Sequence, residues 1–161
     1  MKTMLQNLII QGWPESVAVI IFCLAILRQG YQLRTVVLYG FLLATAVCLV
    51  RILPIPLGVH TLVACLGLTI VLRILAGVSF ATSFYTTFIG LFVLACTETL
   101  VHVLYITFFG DVAYGDGWQW ILIGWPQILI IMALTLLIKK YNSKSYKVGK
   151  TIEYRSYDVN D

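Results

Sequence analysis

The chain has 161 residues, of which 60% are apolar and 11% charged, and its formal net charge is +4. An average soluble domain is about 45–50% apolar and about 25% charged, and so few charged side chains cannot cover the large surface of a small soluble protein. With a mean hydropathy of +0.94, the composition argues against a soluble enzyme, a nucleic-acid-binding domain or a disordered chain, and for an integral membrane protein.

A spanning helix needs about 20 predominantly apolar residues, and five segments approach that length. The first runs from about Leu8 to Leu27 and is the weakest, being interrupted by Gln11, Pro14 and Glu15. Trp13-Pro14-Glu15 marks the start of its regular helix, with Pro14 in the first turn and Trp13 at the membrane interface. With Lys2 as its only early charge, this segment is read as a retained helix rather than a signal peptide. The second segment is Thr35 to Leu53 and the third Pro56 to Leu75. The stiff Leu53-Pro54-Ile55-Pro56 link joins them, since proline fixes φ and disfavours helix at the residue before it. The fourth, Ala81 to Phe109, is long enough to tilt. The fifth, Trp118 to Ile138, begins with an aromatic belt of Trp118, Trp120 and Trp125, and Pro126 is expected to kink it. Arg28-Gln29-Gly30 and Gly77 end the first and third segments, and the acidic 110–117 turn follows the fourth.

Lys and Arg fix orientation, because cytoplasmic loops carry an excess of them. With the C-terminus cytoplasmic, Arg28, Arg34, Arg73, Lys139, Lys140, Lys144, Lys147, Lys150 and Arg155 lie inside, and Lys2 and Arg51 outside. The expected fold is therefore all-α: an integral membrane bundle of five transmembrane helices over residues 1–140, N-terminus outside. A basic cytoplasmic tail over 141–161 follows, expected to be flexible. The expected location is a cell membrane, as a multi-pass protein of the bacterial inner membrane. Cys23, Cys48, Cys65 and Cys96 all lie in apolar runs without a C-x-x-C pair, and read as packing residues rather than disulfides.

Ionisable groups at a helix centre in the bilayer cost roughly 2.5–3.5 kcal/mol each and face the bundle interior or water. The chain has Glu15, Arg51, His60, Glu98 and His102. At a rise of ~1.5 Å per residue, His102 lies roughly 10 Å and Glu98 roughly 16 Å below the outer end of the fourth helix. All five then fall in the outer half of the membrane, although Lys and Arg alone set the topology. Glu98 and His102 share a helix face, with Thr97 and Thr99 beside Glu98. The functional reading is an outward-opening polar pocket lined by Glu98, His102 and His60, with Glu15 and Arg51 at its rim. The bland reading is an ion pair of Arg51 with Glu15 or Glu98 that fixes helix register. A metal site of one carboxylate and two imidazoles is weaker, since E-x-x-x-H is not the H-E-x-x-H of zinc sites, and no metal or other cofactor is expected. Acid–base catalysis by Glu98 and His102 lacks a nucleophile, so the chain is read as a non-enzyme.

Gln11-Gly12-Trp13-Pro14-Glu15 and Arg51-Ile52-Leu53-Pro54-Ile55-Pro56-Leu57-Gly58-Val59-His60-Thr61 carry a resemblance. The chain resembles the multi-helix membrane sensory region of Firmicute GHKL-class sensor histidine kinases and their stand-alone relatives. The shared features are an early Q-G-x-P-E, an R-x-L-P-x-x-x-G-x-H-T at the second junction and a glutamate in the fourth helix, here Glu98. It covers roughly residues 8–140. It implies a sensory or signal-transduction input module that binds a small ligand or peptide and acts through a cytoplasmic or membrane partner. The chain departs from the kinases after its last helix, where neither a phosphoacceptor-histidine helix nor an ATP-binding domain follows. The expected partners are the lipid bilayer, that signalling partner and the ligand, and no nucleic acid. The alternative is a small transport subunit, such as the substrate-binding component of a vitamin or ion importer, for which midplane polar residues and kinked helices also fit.

Overall fold

The computed structural model describes residues 8–52, 59–110 and 124–142, and every element in them is helical. A π-helical turn, Leu8–Gly12, leads into α1, Trp13–Ile26. The helices that follow are α2, Leu33–Ile52, α3, Val59–Ala76, and α4, Phe80–Phe109. Residues 124–142 form α5. Four helical stretches are long and apolar enough to cross a membrane: Leu8–Ile26, Leu33–Val50, Val59–Ala76 and Phe80–Phe108. Of the fifth expected span, residues 118–123 lie outside the described residues, Trp118 and Trp120 among them, while Trp125 is exposed on α5. The helix runs on to residue 142, past the expected boundary at 140; residues 143–161 lie outside the described residues, as does the acidic 111–117 turn.

Local chemistry sets the boundaries. Pro14 has no N–H to give the carbonyl of Ile10, and its ring crowds that carbonyl. The wider π turn just before it relieves the clash, and α1 begins at Trp13 with the proline in its first turn. At its far end, Arg28 takes a left-handed φ of 56°. Its N–H donates to the Ala25 carbonyl at 3.2 Å and that of Gln29 to the Leu24 carbonyl at 3.1 Å, the Schellman pattern that closes helix ends, with arginine where glycine is usual. Gly77, at φ +65°, ends α3, and its N–H donates to the Arg73 carbonyl. Two residues later the Ser79 hydroxyl accepts the Thr82 N–H at 3.3 Å and caps α4.

The first segment, weakest by hydropathy, is the centre of the bundle. Ala18 to Ala25 are buried on every side, and α1 packs against α2, α3 and α4. In lipid, apolarity does not decide which helix is central; small residues that let backbones approach do. Gly40 of α2 receives Val17, and Gly90 of α4 receives Cys23, each so closely that a Cβ would stand 2.5 Å from the partner side chain. Cys23 also donates to the Thr86 carbonyl at 3.6 Å. All four cysteines are free thiols. The indole of Trp13 donates to the Val37 carbonyl at 3.1 Å and meets Phe41 edge-on, so this ring anchors α1 to α2.

Alongside α1 runs α5, in the same direction. At one end Gln11 lies over Gly124; at the other, the Asn142 amide donates to the Ala25 carbonyl at 3.2 Å. The Lys139 ammonium donates to the Tyr31 hydroxyl at 2.8 Å and lies 4.5 Å from its ring centre. Arg28, Arg34, Arg73, Lys139 and Lys140 thus gather at the end of the bundle where α1 finishes and α4 begins.

Candidate functional site

The opposite end of the bundle holds a cavity of about 600 Å³, open on one side and lined by one stripe from each of four helices. The first stripe is Leu8, Gln11, Gly12, Glu15, Ser16 and Val19, at spacings that stay on one helix face. From α2 come Leu43, Ala44, Val47 and Cys48; from α3, His60, Thr61, Ala64 and Leu68; from α4, Leu91, Leu94, Ala95 and Glu98. The π turn matters here, because its Gln11 and Gly12 open the wall next to Glu15.

Three of the five expected site residues, Glu15, His60 and Glu98, therefore share one cavity although they come from three helices. Glu15 and His60 are half-buried, whereas Glu98 is exposed at the opening. Glu15 is engaged by another group of the chain. The neighbours of Glu98 do not serve its carboxylate. Thr97 returns its hydroxyl to the Val93 and Leu94 carbonyls, at 3.0 and 2.8 Å, and Thr99 to that of Ala95, at 2.8 Å.

His102 continues the α4 stripe one turn further, about 6 Å along the axis, and does not line the cavity among the described residues. It is half-buried and held by another contact of the chain. The reason is length: α4 has 30 residues and α3 only 18. Running back along α3 from the Gly77 link, His60 comes level with Glu98, so His102 lies beyond the first turn of α3. Arg51 stands near the end of α2, and its side chain lies outside the described residues, as does the 53–58 link.

The sequence reading missed Gln11, Ser16, Cys48 and Thr61, which add to the polar lining among the described residues. A signal existed for two of them: Gln11 lies four residues before Glu15 on the same face, and Thr61 adjoins His60. For Cys48 the apolar context concealed it. Among the described residues, no three His, Cys, Asp or Glu side chains come close enough to hold a metal ion.

The lining is graded along the bundle axis. Gln11, Glu15, His60 and Glu98 are at the wide end, and the buried Val19, Leu43 and Leu68 are at the other. Such a concave site, mostly apolar with a few convergent polar groups, is the usual form of a small-molecule site, and its volume is in the usual range of roughly 300–1,000 Å³. No protein-family model matches the sequence, and no curated protein or solved structure is significantly similar to it.

Proposed function

We propose that the chain is a non-enzymatic sensory input module of the bacterial inner membrane, with five membrane-spanning helices, an outward-facing ligand cavity and a basic inner end that engages a signalling partner. The observation that carries this reading is the placement of Glu15, His60 and Glu98 on one cavity, opposite the end where the arginines and lysines gather. Basic residues favour the cytoplasmic side, so the cavity lies in the outer half of the membrane. The dense core below it, from Ala18 to Ala25 on α1, favours binding over passage of a solute. The resemblance of the Q-G-x-P-E and R-x-L-P segments to kinase sensory regions favours signalling over a transport subunit.

Two experiments test it. Alkaline phosphatase fused after residue 57 or 115 is expected to be active, and after 30 or 78 inactive; the reverse pattern overturns the outward cavity. A photo-crosslinking residue at Arg73 is expected to trap a kinase or response regulator. Trapping a transporter ATPase, together with solute uptake that depends on this chain, would replace the sensory reading with the transport one.

A further inference from the structure

We propose that the cavity takes an amphipathic cation, a protonated amine or quaternary ammonium on an apolar tail, which enters from the hydrocarbon layer between α3 and α4. This rests on the reading of the cavity as a ligand site and names the chemistry of its ligand.

The sign comes from Glu98. Its carboxylate is exposed and makes no hydrogen bond or ion pair with another described residue, and both neighbouring threonines are turned back onto their own helix. An ionised carboxylate at membrane depth is costly without a partner, and a ligand cation supplies one. The described lining carries two carboxylates, Glu15 and Glu98, one imidazole, His60, and no lysine or arginine, and Glu15 is already engaged, so Glu98 is the group a ligand cation would meet. The tail comes from the axial grading. From Glu98 to Leu91 is about 10 Å along α4, and from His60 to Leu68 about 12 Å along α3. A head beside Glu98 thus places roughly that length of ligand against Leu43, Leu68 and Leu91.

The route comes from exposure. The exposed lining residues are Thr61 on α3 and Ala95 and Glu98 on α4, so the opening lies between these helices. Leu62, Phe88 and Phe92 beside it are large, apolar and exposed, which is the surface a helix shows to lipid. Ala95, the smallest side chain at the opening, leaves the gap through which a ligand from the membrane passes.

The test uses the full chain in neutral maltoside micelles, with binding read by calorimetry and by the shift in unfolding temperature. Dodecyltrimethylammonium is expected to bind saturably, and tetramethylammonium, dodecanoate and dodecanol at least about tenfold more weakly. Glu98→Gln is expected to weaken the cation about tenfold and leave dodecanol unchanged. Ala95→Leu, on an exposed position that folding tolerates, is expected to weaken it as well. Competition by added phosphatidylethanolamine supports the proposal with the bilayer as source, and absence of competition supports it with a free amphiphilic amine as source. If dodecanoate or dodecanol binds as tightly as the cation, or Glu98→Gln changes nothing, the proposal is overturned while the sensory reading stands. If none of the four compounds binds saturably, the proposal is overturned too, and the fusion and crosslinking experiments decide the sensory reading separately.

Discussion

From Ala18 to Ala25, α1 is buried, with Cys23 and Val19 against Gly90 and the stretch packed in the apolar core with Leu68, Leu72 and Ile131; one turn earlier, from Gln11 to Ser16, the π turn and the start of α1 line a cavity. In the closed half the polar groups are short. Thr69, Thr86 and Thr135 each donate to the carbonyl four residues back, and so add little bulk between helices. In the open half the polar side chains are longer: Gln11, Glu15, His60 and Glu98. Side-chain size and where its hydrogen bond goes decide whether two helices close or part. Membrane helices have no hydrophobic force between them to override that choice.

The largest expected difference between the halves is in the cost of truncation. Ile20 is wholly buried in the closed half, and Ile20→Ala is expected to cost about 2–5 kcal/mol, the range for a cavity left in a packed core. Val47 already borders open space, so Val47→Ala is expected to cost about 1 kcal/mol for the lost methyls alone. Reversible unfolding in mixed micelles measures both. Equal costs would show that the open half is filled in the folded protein and would remove the contrast.

Next comes the close approach of α1 and α4. A Cβ on Gly90 would stand 2.5 Å from the Cys23 sulfur, so Gly90→Val is expected to cost about 2–3 kcal/mol by overpacking. Adding Cys23→Ala clears that sulfur and is expected to recover about 1 kcal/mol, as coupled neighbours do. An additive double variant would place the strain elsewhere.

These contacts mark where sequence reading stops. Apolar runs and their breakers placed the four long helices to within a few residues, because in lipid every backbone group must bond within its own helix. Glu15, His60 and Glu98 were legible as scarce ionisable groups with a depth that could be counted along the helices. The central place of α1 was not legible, since hydropathy ranks helices by affinity for lipid while Gly40 and Gly90 admit α1 at close range. Nor was the exclusion of His102, which depends on α4 outrunning α3. The π turn was hinted at by Pro14, yet its effect, turning Gln11 and Gly12 onto the cavity, needs three dimensions.

Thiol chemistry sharpens the same contrast. Cys48 lines the cavity and Cys23 is fully buried. In a chain carrying Cys65→Ala and Cys96→Ala, a cationic methanethiosulfonate reagent is expected to label Cys48 and leave Cys23 intact. It should outpace the anionic reagent by roughly tenfold, since the Glu98 carboxylate at the opening concentrates cations near the cleft. Glu98→Gln should narrow that ratio. Labelling of Cys23 at a comparable rate would mean that the closed half opens on the experiment's timescale.

The smallest effect separates two hydroxyls of the closed half that sequence alone treats alike. Thr69 donates to the Cys65 carbonyl and lies 3.2 Å from the Thr87 hydroxyl across the α3–α4 contact. Interhelical hydrogen bonds in membranes average only about 0.6 kcal/mol, so Thr69→Val is expected to cost about that much. Ser83 is as deeply buried, yet among the described residues its hydroxyl has no hydrogen-bond partner. Leaving such a group unsatisfied costs about 1–3 kcal/mol, so Ser83→Ala, which keeps the Cβ and removes the stranded oxygen, is expected to stabilise the bundle by about 1 kcal/mol. The two variants should move the unfolding midpoint in opposite directions. If Ser83→Ala destabilises, its hydroxyl has a partner in the membrane-embedded protein, and the closed half is less dry than its packing implies.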